Sequence, residues 1–320
     1  MKRGQVAPAD RVHLRSWRAR FAGRDDVAFA LEGCTGWRYV AGELAAAGVA
    51  AHVAEPADTA FARGRQRHAK TAKTGSRHLG QLLAEGRLPE CWIPPSRILE
   101  CRALLETCHD LRAEHTAWVP RIHAVYFHQG AAALGDGALR TGRDLQAPRA
   151  AAACHLSPAG QLQVDTALGM LAALEARLDV LRHRLLAAAR SLTGARVLAS
   201  RLSGVGPVTG LAMTCWRGGA GRFSSARQAV RFAGLDVTVW SSDRTGPPGR
   251  LSRHGPPVLR RAVYEAGQTH ARPSAPGHRY DAQVKDRQDG KRAALSEARK
   301  IPRQACHIPA EPGGDALTAA

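Results

Sequence analysis

Between residues 244 and 303 the chain carries fourteen Lys and Arg against five acids: Glu265, Asp281, Asp286, Asp289 and Glu297. So one-sided a segment reads more readily as a phosphate-binding surface than as a solvated face, because Lys and Arg neutralise a phosphodiester backbone. Arg244, Arg250, Arg253 and Arg260 are the candidate clamps, since a planar guanidinium grips phosphate with two N–H groups at once. A second basic run, Arg63, Arg65, Arg67, Lys70, Lys73 and Arg77, has no acid among its members. A third feature is SGVGPVTG at 203–210. Gly204 and Gly206 there would let backbone N–H groups approach a phosphate at the start of the next helix. The letters suit a helix–hairpin–helix-like turn, and an ordinary tight turn equally.

The whole chain agrees with this chemistry. Its 320 residues hold 46 Lys+Arg against 27 Asp+Glu, a net charge of +19. That excess points to a polyanion, nucleic acid first and an acidic membrane surface second. The membrane reading weakens because residues 4–10 are polar and no apolar run reaches the roughly 18 residues of a spanning helix. A cytoplasmic protein with no signal peptide and no membrane partner is expected. Hydrophobic residues make up 44%, which excludes wholesale disorder, and aromatics 5%, which argues against a binder built on stacking platforms. The seven cysteines are odd in number, scattered and without a C-x-x-C pair, so neither a disulfide framework nor a zinc site is indicated. Buried, reduced thiols are the expectation.

Several elements must position these groups. Val27–Leu31 reads as a buried strand, 36–47 as a helix and 48–53 as a second strand closed by Pro56. Strand, helix and strand in about 30 residues make a βαβ unit with parallel strands. Leu79, Leu82 and Leu83 suggest a helix packed on that sheet. Ser96 is a fair N-cap for a long helix, which Pro120 should kink. Residues 130–160 read as a loop or linker. From Val164 to Leu192 apolar residues recur at steps of three and four, fitting either a packed helix or an oligomer seam. A second domain starts near Ala195. It holds the glycine turn, a short capped helix ending at Phe232, a β-like segment from Gly234, a helix around Val258–Ala266, and a last helix from about Arg292. Pro302 should shorten or break that last helix, at a cost of about 3 kcal/mol for an interior proline.

Five stretches together resemble one family, the DEDD-type transposases of insertion sequence 110 and its relatives, the 116/902 group. They are ALEGCTGWRYVAGELAAAGV, RHAKTAKTGSRHLGQLLAEGRLPECWIPP, SGVGPVTG, RFSSARQAVRFAGLDVTVWSSDRTGPPGRLSRHGPPVLRRAVYEA and AALSEARK. The resemblance implies an α/β plus α chain in three parts. These are a truncated RuvC-like (RNase H-type) parallel-sheet domain at 1–95, a helical connector at 96–194 with its loop at 130–160, and a mostly helical transposase domain at 195–320. It implies DNA as substrate, strand cleavage and transfer as reaction, a structured guide RNA from the element, and a homo-oligomer.

The family's metal site, as the resemblance implies it, is three aspartates and a glutamate holding Mg²⁺, a hard cation suited to carboxylate oxygens. Glu32 matches the glutamate. The first aspartate belongs to a strand earlier than this chain begins. Asp25 and Asp26 read as turn residues. The other two aspartates match Ala72 and Gly75, which have no carboxylate. Mg²⁺ binding by this chain is therefore not expected. The implied nucleophile is a serine, matched by Ser242 or its neighbour Ser241. Lost ligands and late prolines together look like a decaying copy of a mobile element: a transposase impaired in catalysis, or a noncatalytic nucleic-acid-binding regulator of intact copies.

Overall fold

The structure is a computed structural model that describes residues 10–62, 71–135, 137–139, 148, 155–238 and 249–308. It is mostly helical. The chain divides into two compact units, residues 1–94 and 95–320.

In the first unit, α1 (Arg11–Arg18) precedes β1 (Ala28–Glu32), α2 (Trp37–Ala45), β2 (Ala50–Ala54), α3 (Pro56–Ala62) and α4 (Ala72–Ala84). The strands pair in parallel, Ala28 opposite Ala50 through Glu32 opposite Ala54, with α2 as the crossover. This is the expected βαβ unit. A parallel pair cannot be joined by a tight turn, so the chain needs the helix between. Leu79 and Leu82 are buried as α4 packs on β1. Pro56 opens α3 rather than only ending β2, because a proline at a helix start loses no hydrogen bond. The helix α1 was not foreseen. Asp10 caps it by accepting from His13 N at 3.0 Å. Arg11, Arg15 and Arg18 all converge on buried Glu43 of α2, at 3.4, 2.9 and 3.2 Å. Trp17, Phe21 and Phe29 pack mutually at centroid distances of 5.1–5.3 Å and tie that end to the sheet.

The second unit opens with two long helices, α5 (Ser96–His128) and α6 (Pro158–Ser191), packed on each other. Pro95, not Ser96, occupies the cap position of α5, and the helix runs on through Pro120. Along α6, Val164, Leu168, Leu171, Leu174, Leu178 and Leu185 are buried. The apolar stripe is consumed inside the chain, mainly by α5, so it is a packed helix face and not an open seam. Leu139 and Leu156, from the stretch read as a linker, join Ile122, Tyr126, Val164 and Leu171 in one core cluster. Tyr126 Oη donates to the Pro148 carbonyl.

The rest is α7 (Thr193–Arg201), α8 (Pro207–Arg217), α9 (Ala226–Phe232), β3 (Val237–Thr238), β4 (Arg250–Leu251), α10 (Pro257–Gln268), α11 (His278–Arg287) and α12 (Gly290–Cys306). The short antiparallel pair sets Val237 opposite Leu251 and Thr238 opposite Arg250. The α12 helix continues through Pro302, against expectation. Ala293, Ala294, Ala298, Ile301, Pro302 and Ala305 are all buried, and α10 packs along them. Burial of this face offsets the lost backbone hydrogen bond. The two helices approach closely at Gly267, where a Cβ would stand 2.5 Å from the Ala294 carbonyl oxygen.

Candidate nucleic-acid interface

The glycine turn joins two helices packed on each other, α7 and α8. Their approach needs Gly210, whose Cβ would meet the Ala195 carbonyl oxygen at 2.5 Å. Gly204 has a φ of +79°, and a Cβ there would run into Thr269 Oγ1 and stand 2.6 Å from the Ala266 carbonyl. Its freedom is therefore spent on fitting the end of α10, which a side chain would push away. Gly206 differs. It is exposed, faces open space and caps α8 without a side chain. The structure thus separates two glycines that the sequence places together, one packing and one solvent-facing. His270 supports the turn, with Nε2 3.3 Å from the Ser203 carbonyl and Nδ1 3.3 Å from Glu297 Oε2.

Ahead of α10 the backbone takes an unusual path. Arg253 has φ +53°, the one non-glycine residue with positive φ among the described residues. An L-residue in the left-handed region costs about 1–2 kcal/mol. Neighbouring contacts enforce it. Gly255 packs its backbone on the Phe232 carbonyl, Gly234 packs on His254, and Arg260 Nη1 donates to the Arg253 carbonyl at 2.9 Å. Ser252 Oγ donates to Asp236, and Arg299 Nε donates to the Leu235 carbonyl at 2.7 Å, fastening the base of the β3–β4 pair to α12. Burial pushes the Arg260 guanidinium below its ordinary pKa, and the charge of Arg253 adds to the shift.

These pieces enclose a groove of about 610 Å³. Its walls carry Arg253, Arg260 and Arg261 from the turn and α10, Lys291 and Arg292 from α12, and His109 from α5. Tyr264, Leu235, Leu251 and Leu295 supply apolar surface, and no carboxylate among the described residues lines it. A concave surface that is cationic and partly apolar can neutralise successive phosphates while a sugar or base rests on the apolar part.

The structure brings only part of the sequence-predicted set together. Arg253 and Arg260 line the groove. Arg250 lies exposed on β4, which leads out of the segment holding the serines. Ser241, Ser242 and Arg244 lie outside the described residues, as do Arg63, Arg65, Arg67 and Lys70. Sequence reasoning did not single out His109, Arg261, Lys291 and Arg292 as groove residues. The adjacency of Arg260 and Arg261 was a signal for one of them, but the meeting of α5, α10 and α12 is tertiary.

Glu32 stands at the C-terminal end of β1, half-buried. Ala72 is the first residue of α4 and Gly75 is buried in its next turn, behind a Thr71–Thr74 capping box. A methyl and a hydrogen offer no oxygen to a divalent cation. The described residues contain no group of three or more His, Cys, Asp or Glu that could hold one. This donor set does not fit Mg²⁺. Asp26 is held by Arg24 in a two-pronged ion pair, as befits a turn residue.

Residues 196–281 match the sequence model of the Transposase IS116/IS110/IS902 family. The matched stretch runs from α7 into α11 and contains the glycine turn, the β3–β4 pair and the α10 wall of the groove. The match supports an insertion-sequence transposase of the 110 family, and DNA is the partner such a family implies. No curated protein matches the chain. Among the described residues, no helix is long and apolar enough to cross a membrane.

Proposed function

We propose that the chain is a transposase by descent that holds DNA, and the element's structured RNA, on the groove between α10 and α12, and that its own strand-transfer chemistry is impaired. The observation that carries this reading is the cationic groove: five Lys and Arg line it from one turn and two helices, and the acids that pair with Arg261 and Arg292, Glu265 and Asp289, stand outside its lining. In this reading the first unit is a RuvC-like remnant, residues 96–194 are its connector and residues 195–320 the transposase domain. Ser242, or Ser241, from the sequence between β3 and β4, is the nucleophile. Impairment follows from chemistry. A serine hydroxyl attacking a phosphodiester must be deprotonated, and charge building on the phosphorus oxygens must be neutralised. Glu32, Ala72 and Gly75 cannot assemble the ions that would do both.

The test is a pair of measurements on the full chain. Binding of a fluorescein-labelled duplex or RNA hairpin should weaken steeply as salt rises, and Arg253→Glu with Lys291→Glu should reduce that slope by about two. Binding that ignores both salt and this double variant removes the reading. On cognate donor and target DNA, no covalent protein–DNA species should form, and recombination by the unmodified chain would remove the impairment.

The missing carboxylates favour one further reading, a noncatalytic regulator that occupies the nucleic acid of intact copies or joins their oligomers. It predicts that co-expression lowers transposition by an active relative in proportion to dose, and that the Arg253/Lys291 variant relieves this.

A further inference from the structure

The groove does not end at α10. Arg261 also lines two other cavities, one of about 340 Å³ and one of about 500 Å³. The groove and the smaller cavity share His109 and Arg261; the two cavities share Arg112 and Arg261. Three hollows that share these side chains as walls lie next to one another. Their far end is built by α5 and α6, which lie outside the family-matched stretch.

The far end also carries cations. Arg112 and Arg182 add to Arg261, with His115 and His123 beyond. Among the described residues, two carboxylates line this half. Glu265 accepts from Arg261 Nε at 2.7 Å, and Glu175 Oε1 lies 3.1 Å from His115 Nε2. The His115 ring is nine-tenths buried, and its Nε2 has no aligned hydrogen-bond partner among the described residues. A buried polar atom left without an aligned bond costs free energy unless a ligand or water completes it. A solvated helix face would carry its charges outward on one helix. Here three helices turn theirs toward one another.

We infer that this interhelical cleft is a second phosphodiester-binding segment, so that the nucleic acid on the groove continues past Arg261 along the surface that α5, α6 and α10 line together. The inference rests on the groove reading above. The ligand is the sugar–phosphate backbone itself, and RNA and DNA share it. Contacts to backbone alone position a strand without reading its sequence.

The experiment uses the full chain and fluorescence anisotropy with a single-stranded DNA, its duplex and an RNA hairpin of related sequence. Arg112→Glu with Arg182→Glu reverses the cleft. Arg184→Glu with Arg190→Glu makes the same charge change at exposed positions of α6 that line none of the three hollows. The cleft variant should bind at least one of the three nucleic acids about tenfold more weakly and lose about two from its salt slope. The control pair should shift affinity far less. Equal weakening by the two pairs overturns the inference. A photo-crosslinking residue at exposed His123 should capture the bound strand, and the captured probe tells RNA from DNA. No capture at a saturating concentration also overturns it. If Arg253/Lys291 reversal abolishes binding while the cleft variant behaves as the control, the cleft is excluded and the groove stands. If neither matters, the groove reading fails first.

Discussion

Arg260 Nη1 donates to the Arg253 carbonyl at 2.9 Å, so one arginine holds another in a left-handed backbone conformation at the edge of the groove. The strain and the charge belong to the same residue, and they can be separated. Arg253→Gly should raise unfolding free energy by about 1 kcal/mol, the relief expected at positive φ, while weakening nucleic-acid binding. Arg253→Ala should weaken binding equally without the stability gain. Denaturant titration beside anisotropy reads both. Equal stability for the Gly and Ala variants would mean that the backbone there is not strained.

Gly204 and Gly206 stand two residues apart and face different surroundings. Gly204→Ala must displace Thr269 or the Ala266 carbonyl and also occupy positive φ, so it should cost about 2–3 kcal/mol. Gly206→Ala meets open space at a φ of −82° and should cost well under 1 kcal/mol. Chemical denaturation distinguishes them, and equal costs would contradict the packing described.

Glu43 is a pH-dependent anchor. Hydrogen bonding from Arg15 comes first, with the charges of Arg18 and Arg11 behind it, and holds the carboxyl below its ordinary pKa in the folded protein. A depressed folded pKa adds stability that is complete above the unfolded carboxylate range and is lost as pH falls through the folded value. Glu43→Gln should therefore melt earlier than the parent at pH 7, with the gap closing as the pH drops below about 4. A gap of constant size across that window would show that the ion pairs add nothing.

The donor set at β1 and α4 predicts calorimetric behaviour. Titration with Mn²⁺ should show no tight stoichiometric site that depends on Glu32. Ala72→Asp alone should not create one, because two carboxylates leave most of the coordination shell to water. Gly75→Asp is a harder graft, since Gly75 is buried in α4. A tight site abolished by Glu32→Gln would overturn the matching of Ala72 and Gly75 to ligand positions.

Much of the architecture was legible in local pattern. The βαβ unit announced itself through two apolar runs and a helical spacing between them. The α6 stripe was plain from its leucines, although its partner, α5, could be found only in three dimensions. Residues of α11 escaped notice because HRYDAQVKDR has almost no apolar face; its one buried residue is Asp281. Pro302 misled for the opposite reason, a strong local rule overruled by packing against α10. For the candidate site, charge density pointed to Arg253 and Arg260. It could not show that Arg261 lines three neighbouring hollows, since that depends on residues of α5 and α6 as far away in sequence as Leu105.

Gly267 touches none of the groove's cations, yet it sets how near α10 can lie to α12. Arg260 and Arg261 ride on one of those helices, Lys291 and Arg292 on the other. A larger residue at 267 would have to displace the Ala294 carbonyl and the Ala298 backbone, levering the helices apart and the cations with them. The missing side chain thus fixes the gauge of the groove, as sleepers fix the distance between rails, and in the proposed reading a substitution at 267 would change which strand the groove accepts.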